Sequence, residues 1–149
     1  MDRLPGAGEQ EEESMAKTVR DIMSAEVTTL GRNDTLLLAK DIMNLGRIRH
    51  FPVVEDDELV GVVSQRDLYR ASLGTVMQYG EKAQRAFLES VAVKEIMVDP
   101  ISIGPDATVQ DAARLMMEHK IGCLPVLEDD RLVGIVTETD MLQVVVDMA

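Results

Sequence analysis

The chain has 149 residues, 46% of them apolar and 3% aromatic, and a formal charge of −12. This length suits one compact domain or two small halves, and the apolar fraction is sufficient for an aliphatic core filled partly by methionine. The acidic balance argues against nucleic-acid binding, because phosphate contacts need concentrated Lys and Arg.

Three further features concern the compartment. The single cysteine, Cys123, cannot form an internal disulfide, which fits a reducing environment. No apolar run approaches the ~20 residues that span a bilayer. The N-terminus lacks the basic-then-apolar pattern of a secretion signal. The sequence therefore predicts a cytoplasmic protein.

Residues 1–16 contain Gly and Pro and then a run of acidic side chains, with almost nothing to bury. Such a composition cannot offset the conformational entropy lost on folding. We expect a disordered acidic tail that contributes neither to stability nor to ligand binding.

Residues 17–74 are predicted to form a first repeat. The stretch VRDIM (19–23) precedes a β-branched strand (VTTL, 27–30) and a helix that should end near Gly46. The apolar runs PVV and LVGVV then flank the acidic turn EDDE (55–58), which predicts a β-hairpin. Ser64 opens another helix, and residues 75–90 are predicted to form a linking helix with Gly80 as its weak point.

Residues 91–149 are predicted to form a second repeat with the same order of elements, beginning with VKEIM and ISI (101–103). Its first helix is opened by either Asp106 or Thr108 and should end before Gly122. Four apolar residues of this helix follow the i, i+3, i+4, i+7 spacing of an amphipathic helix: Val109, Ala112, Ala113 and Met116.

The repetition is direct. FPVVEDDELVGVVSQRDL (51–68) and LPVLEDDRLVGIVTETDM (124–141) share ten of eighteen positions at an offset of 73 residues. Each unit reads strand–helix–strand–strand–helix and is too small to bury both faces of its sheet. We therefore expect a mixed α/β (α+β) fold of two units packed face to face with approximate twofold symmetry. Apolar helical surface left over predicts a homodimer.

Each repeated block ends in Ser/Thr-x-x-Asp, which has two interpretations. The pattern is a helix-capping box, and taken alone it favours capping. Two observations favour binding: Asp is a poorer capping partner than Glu or Gln, and the box follows a buried strand directly. A helix N-terminus there can hold a phosphate, and a neighbouring carboxylate can accept from both hydroxyls of a ribose.

The chain from about Val19 onward resembles a tandem pair of cystathionine-β-synthase (CBS) domains, called a Bateman module. Four motifs carry the resemblance: I-M before the first strand, the helix opening PDAT, the apolar-Pro-Val of FPVV and LPVL, and GVVSQRD and GIVTETD. The first copy departs from the pattern at its helix opening, where GRNDT stands in place of Pro-x-x-Thr.

The resemblance implies two clefts between the repeats that bind adenosine-containing ligands, with AMP, ADP or ATP favoured over S-adenosylmethionine. One expected cleft comprises Val27, Ile48, Arg49, His50, Thr137, Thr139 and Asp140. The other comprises Ser64, Arg66, Asp67, Ile101, Ile121, Gly122 and Cys123. Asp67 and Asp140 would bind ribose, Ser64 and Thr137 phosphate, and backbone near Ile48 or Ile121 the adenine edge.

Several of these positions also have a plainer interpretation. His50, beside a strand start, is more often a surface or capping residue than a ligand contact. Cys123, at the matching position, is expected to be a small lining residue and not a nucleophile. Arg49 and His50 are basic candidates for the first cleft, and Arg66 and Lys120 for the second. The EDD triplets resemble metal ligands, but solvated hairpin turns are the favoured interpretation.

Two functions remain open at this point. The first is a sensor that binds an adenine nucleotide and signals to a separate, unnamed effector protein. The second is a module that only assembles, with empty clefts. An enzyme has little support, because one Cys, two His and no triad-like grouping give no catalytic constellation. No metal and no catalytic cofactor are expected.

Overall fold

The computed structural model describes residues 17–148, apart from the side chain of Val76, so the expected tail lies outside the described residues. The elements in chain order are α1 (Val19–Ile22), β1 (Leu30–Gly31), α2 (Leu36–Gly46), β2 (His50–Glu55), β3 (Glu58–Ser64), α3 (Gln65–Ser90), a 3-10 turn (Val93–Glu95), α4 (Val109–His119), β4 (Cys123–Glu128), β5 (Arg131–Thr137) and α5 (Glu138–Asp147). The predicted order of strands and helices is confirmed, except that within residues 17–148 the first strand of the second repeat is absent.

The described chain divides into two compact units. Unit 1 contains residues 17–25, 102–129 and 133–148, and unit 2 contains residues 26–101 and 130–132. Each unit is therefore one repeat joined by the short leading segment of the other repeat. The segment with the I-M motif does not pack against the repeat that it precedes in sequence.

In unit 2, β1 runs parallel to β2, with Leu30 opposite Val53, and β2 pairs antiparallel with β3. Both faces of β2 supply buried residues, since Phe51 and Val53 are fully buried on one side and Pro52 on the other. Helix α2 begins at Thr35, whose side chain accepts a hydrogen bond from the Leu38 amide at 3.1 Å. The apolar side of α2 packs against residues of α3 and the 3-10 turn in an aliphatic core. This core contains Leu36, Ala39, Met43, Leu68, Leu88 and Val93.

Unit 1 repeats this plan with β4 and β5 as its paired strands. The first strand of the repeat is reduced to a single parallel bridge between Ile103 and Val126. Helix α1 attaches to the start of α4 through a hydrogen bond from the Val19 amide to the Ala107 carbonyl at 2.9 Å. Val19 is fully buried in this unit, which is why its short helix holds its place.

Both hairpins close with the same pair of acidic residues. Asp56 and Asp57 have φ values of 51° and 64°, and Asp129 and Asp130 repeat the same two values. Two consecutive positive φ angles define a type I′ turn, whose twist matches the flanking strands. The EDD triplets thus form hairpin turns, and the described residues contain no cluster of three or more side chains able to hold a metal ion.

The exchanged leading segments are seated in the same way in the two units. In unit 2, Val98 exchanges two backbone hydrogen bonds of 3.0 Å with Val62 on the outer edge of β3. In unit 1, Ser24 does so with Ile135 of β5, at 2.9 and 3.0 Å. The preceding Met97 and Met23 fill the space beside Gly61 and Gly134, where a Cβ atom would lie 2.6 and 2.5 Å from the sulfur. The I-M motif and the strand glycine are therefore two halves of one contact.

The expected helix ends are confirmed, since α2 ends at Gly46 and α4 ends at His119, before Gly122. The left-handed residues that follow them are Arg47 (φ 55°) and Lys120 (φ 54°). Gly80 has φ 84° and ψ −173°, so the helical conformation of α3 is interrupted there. The predicted weak point in the linking helix is a kink that only glycine adopts without strain.

Candidate functional site

In unit 2 the Ser/Thr-x-x-Asp motif lies at the point where β3 becomes α3. Ser64 is both the last strand residue and the helix N-cap. Asp67 Oδ2 accepts hydrogen bonds from the Ser64 amide at 2.8 Å and from the Ser64 hydroxyl at 2.9 Å. The Asp67 amide donates to Ser64 Oγ at 3.2 Å. The motif is thus a capping box, and both side chains are half-buried.

Unit 1 has the same arrangement where β5 becomes α5. Asp140 Oδ2 accepts from the Thr137 amide at 2.8 Å and from the Thr137 hydroxyl at 3.2 Å. Thr137 and Asp140 are also half-buried. We call these two places, residues 64–67 and 137–140, the strand–helix junctions.

The second oxygen of each junction carboxylate is available to a ligand. All hydrogen bonds that the Asp67 and Asp140 carboxylates accept within residues 17–148 go to Oδ2, so Oδ1 has no described partner in either unit. A carboxylate oxygen fixed in this way is a strong acceptor for a ligand hydroxyl, because its partner oxygen holds the group in place.

The helix N-terminus beside each carboxylate offers backbone donors. The first helical amide is already used: Gln65 donates to the Arg49 carbonyl at 2.8 Å, and Glu138 to the Gly122 carbonyl at 3.1 Å. The next amides, those of Arg66 and Thr139, belong to the four N–H groups that a helix cannot bond internally. These amides lie at the positive end of the helix dipole, where an anion is stabilised.

Within unit 2 the structure brings Arg49 and His50 to the junction of Ser64 and Asp67. His50 is the Cα partner of Ser64 across the β2–β3 hairpin, and the Arg49 carbonyl accepts from the Gln65 amide. The antiparallel hairpin explains this placement, because the first residue of one strand opposes the last residue of the other. The expected cleft that joins Arg49 and His50 to Thr137 and Asp140 stays a prediction.

The matching residues of unit 1 follow the same rule. The bond from Glu138 to Gly122 brings Gly122 and Cys123 to the junction of Thr137 and Asp140 within unit 1. Cys123 is 4% exposed. The expected grouping of Gly122 and Cys123 with Asp67 stays a prediction.

The remaining expected residues lie on connecting segments. Ile48 and Ile121 are half-buried and directly precede the strands β2 and β4. Val27 and Ile101 are half-buried in segments without regular structure, each three residues after a bridge residue, Ser24 or Val98. Their role at a ligand stays a prediction.

Asp in a capping box is not specific to the junctions. Thr18 with Asp21 and Thr108 with Asp111 form the same box at α1 and α4, and both acidic side chains are exposed. The choice of Asp over Glu therefore gives no support to binding, contrary to the argument from sequence. What distinguishes Asp67 and Asp140 is their half-buried place at the end of a buried strand.

Comparison with known proteins bears on this arrangement. The sequence profile of the CBS domain matches residues 19–74 and 93–147. The chain belongs to the CBS domain family. This confirms the resemblance read from the motifs, and the fold of two CBS repeats is confirmed with it.

Among curated relatives, the chain is 34% identical over 137 residues to inosine-5'-monophosphate dehydrogenase of Korarchaeum cryptofilum, but spans only 26% of that protein. It is 33% identical to the CBS domain-containing protein YhcV of Bacillus subtilis, covering 83% of this chain and 82% of the relative. The chain therefore spans most of the second relative but only about a quarter of the first.

Two similar solved structures contain adenosine compounds. The CBS domain pair of protein MJ0100, in complex with 5'-methylthioadenosine and S-adenosyl-L-methionine, has a TM-score of 0.73 and 27% identity over 89% of this chain and 98% of its own. CBSX2 in complex with AMP has a TM-score of 0.69 and 26% identity over 88% of this chain and 97% of its own.

None of the helices within residues 17–148 is long and apolar enough to cross a bilayer.

Proposed function

We propose that this CBS pair is a regulatory module that binds adenine nucleotides at its strand–helix junctions and signals to a separate effector protein. The observation that carries the proposal is the unused Oδ1 of Asp67 and of Asp140, each fixed beside a helix N-terminus. A ribose diol and a phosphate need these two kinds of group side by side.

Binding would use the junction groups in a definite way. The ribose hydroxyls would donate to Oδ1, which leaves the capping bonds to Oδ2 intact. The phosphate would accept from the amides of Arg66 or Thr139. Ser64 and Thr137 would turn their hydroxyl protons from Oδ2 to a phosphate oxygen, at the cost of one capping bond each.

The two junctions differ in charge, and this should set the number of phosphates. At the unit 2 junction stand Arg49, His50 and Arg66, and the positions that match them in the other repeat are Gly122, Cys123 and Thr139. All three basic candidates of unit 2 are thus neutral in unit 1. We expect the unit 2 junction to favour ADP or ATP, and the unit 1 junction to favour AMP or an uncharged adenosine compound.

Support for the ligand class comes from the neighbours. AMP, 5'-methylthioadenosine and S-adenosyl-L-methionine are bound in CBS-pair structures that resemble this chain. The three share only the adenosine part, so adenosine recognition is the common element. For this chain we place AMP, ADP and ATP first, because basic residues stand at one junction.

The second candidate is assembly without a nucleotide. It is favoured by apolar side chains that both units expose. In unit 2, Tyr69, Leu73 and Met77 follow at four-residue intervals along α3 and are 57–77% exposed. In unit 1, α5 exposes Leu142, Val145 and Val146 to a similar degree. We propose that these faces make the protein a homodimer in the cytoplasm, with or without ligand.

Calorimetric titration with AMP, ADP, ATP, S-adenosylmethionine and NAD would test the proposal. Binding of the adenine nucleotides supports it, and Arg66→Gln should weaken ATP more than AMP at the unit 2 junction. The substitution Lys82→Gln, at an exposed basic residue of α3 outside the junction, serves as its control and should change neither affinity. If none of the five compounds binds, assembly becomes the better account.

A further inference from the structure

A pocket with several polar side chains in its lining lies in unit 2, between α2 and α3. Its walls come from three helical stripes: one on α2, one on the first turns of α3, and one on α3 after the kink. The pocket, including its open mouth, has a volume of about 330 Å³. The polar side chains around it are Lys40, Asn44, Gln65, Tyr69, Ser72 and Gln84. Met43, Leu68 and Leu88, all buried, form the floor.

The charge of this lining is opposite to that of the protein. The chain has 27 acidic and 15 basic residues, yet the pocket is lined by one ammonium group and no carboxylate. The nearest acidic neighbour in sequence, Asp41, is directed to Arg85, whose Nη1 lies 3.6 Å from its Oδ1. A half-buried cation without a facing carboxylate favours a bound anion, since desolvation weakens competition from water.

The hydrogen bonds leave donors available. Lys40 Nζ donates to Gln84 Oε1 at 3.0 Å, and the Ser72 hydroxyl donates to the Leu68 carbonyl at 2.9 Å. The ammonium has two further N–H groups, which no described residue accepts. Within residues 17–148, the side chains of Asn44, Gln65 and Tyr69 likewise make no hydrogen bond, and each can donate.

The second repeat shows that the fold does not require these polar groups. At the offset of 73 residues, the positions of Lys40, Asn44, Gln65, Tyr69 and Ser72 hold Ala113, Met117, Glu138, Leu142 and Val145. Four of the five are apolar, and the fifth is acidic. Packing of the kinked helix explains the contact with Gln84, but it does not explain the other donors in the lining, those of Asn44, Gln65 and Tyr69.

We propose that this pocket binds a small oxyanion, a short carboxylate or inorganic phosphate, which Lys40 holds and the neutral donors orient. The pocket borders the unit 2 junction, since Gln65 lines it, but Ser64 and Asp67, the proposed nucleotide contacts, are absent from its lining. A bound anion would tie α2 to α3 on both sides of the Gly80 kink, through Lys40 and Gln84.

The test is a titration of the full chain with sodium acetate and, separately, with sodium phosphate, at constant ionic strength and followed by amide NMR. We expect saturable shifts at residues 40–44 and 84–88 for at least one anion, and the anion that gives them identifies the source. Lys40→Met should weaken that binding about tenfold or more, the scale of a charge-assisted hydrogen bond. Lys82→Met, which removes an exposed lysine after the kink, should not.

Because Lys40 also holds Gln84, Lys40→Gln provides a second variant that keeps a donor without the charge. It should fold normally and bind as weakly as Lys40→Met. The proposal is overturned if neither anion gives saturable shifts up to about 20 mM, a weak affinity for a built site. It is equally overturned if Lys40→Gln binds as the natural protein does, or if the shifts centre on residues 64–67.

Discussion

Met97 places its sulfur where a side chain on Gly61 would begin, because a Cβ atom added to Gly61 would lie 2.6 Å from Met97 Sδ. Gly61 is in the middle of β3, three residues before Ser64, where a glycine weakens a strand unless something approaches its backbone closely. The Met97 side chain makes that close approach. Its contact with Gly61 fixes the exchanged segment on the edge of β3, the strand that leads into the unit 2 junction.

The Met97–Gly61 contact predicts strong coupling in a double-mutant cycle. Gly61→Ala should cost about 1–3 kcal/mol of unfolding free energy, as overpacking does. In a Met97→Ala background the same substitution should cost much less, because all three atoms near the added carbon belong to Met97. Urea unfolding of the four proteins measures this, and additive costs would contradict the contact.

Gly134 is the control for that cycle. A Cβ atom there would meet Met23 Sδ at 2.5 Å but also the Ser24 carbonyl oxygen at 2.9 Å. Shortening Met23 cannot remove the backbone oxygen. Gly134→Ala should therefore remain destabilising in a Met23→Ala background, unlike its counterpart at Gly61.

The kink in α3 predicts opposite effects for two alanine substitutions. Gly80→Ala forces a side chain into φ 84°, which should destabilise the fold by about 1–3 kcal/mol. Gly74 lies in the regular part of the same helix with no atom within 4 Å of an added Cβ, so Gly74→Ala should stabilise it by up to about 1 kcal/mol. Thermal melts of both variants compare them directly, and equal signs would contradict the kink.

The exposed apolar faces predict the association state. We expect the protein to sediment as a homodimer at tens of micromolar, roughly where weak interfaces fill. Leu73→Glu or Leu142→Glu should shift it toward monomers, because a charge would be buried in the interface. Met117→Glu, at an even more exposed apolar site on α4, is the control. A natural protein that sediments as a monomer would contradict the dimer.

Local sequence patterns predicted most of the helices and strands. The hairpins followed from alternating apolar runs around EDD, and the start of α4 at Thr108 was one of the two alternatives that the sequence left open. The ends of α2 near Gly46 and of α4 before Gly122 were predicted as well, although the residues that turn into the left-handed conformation there are Arg47 and Lys120.

The grouping of the site residues could not be taken from the repeat pattern alone. Exchange of the leading segments depends on pairs such as Ser24 with Ile135, more than a hundred residues apart, which no local period reports. The hairpin register places Arg49 and His50 beside Ser64 within unit 2, and their expected grouping with Thr137 and Asp140 stays a prediction. The sequence argument that Asp in place of Glu or Gln favours binding failed, because Asp21 and Asp111 form the same capping boxes.

The central claim is nucleotide binding at the junctions, and the most direct measurement is calorimetric titration of ATP and AMP into four proteins: natural, Asp67→Ala, Asp140→Ala and Asp111→Ala. Asp111 has the same capping box outside either junction, so its variant reports capping alone. We expect the natural protein to bind, Asp67→Ala and Asp140→Ala each to lose one class of site, and Asp111→Ala to bind normally despite losing about 1 kcal/mol of stability. Equal binding by all four proteins, or none by the natural protein, would contradict the account.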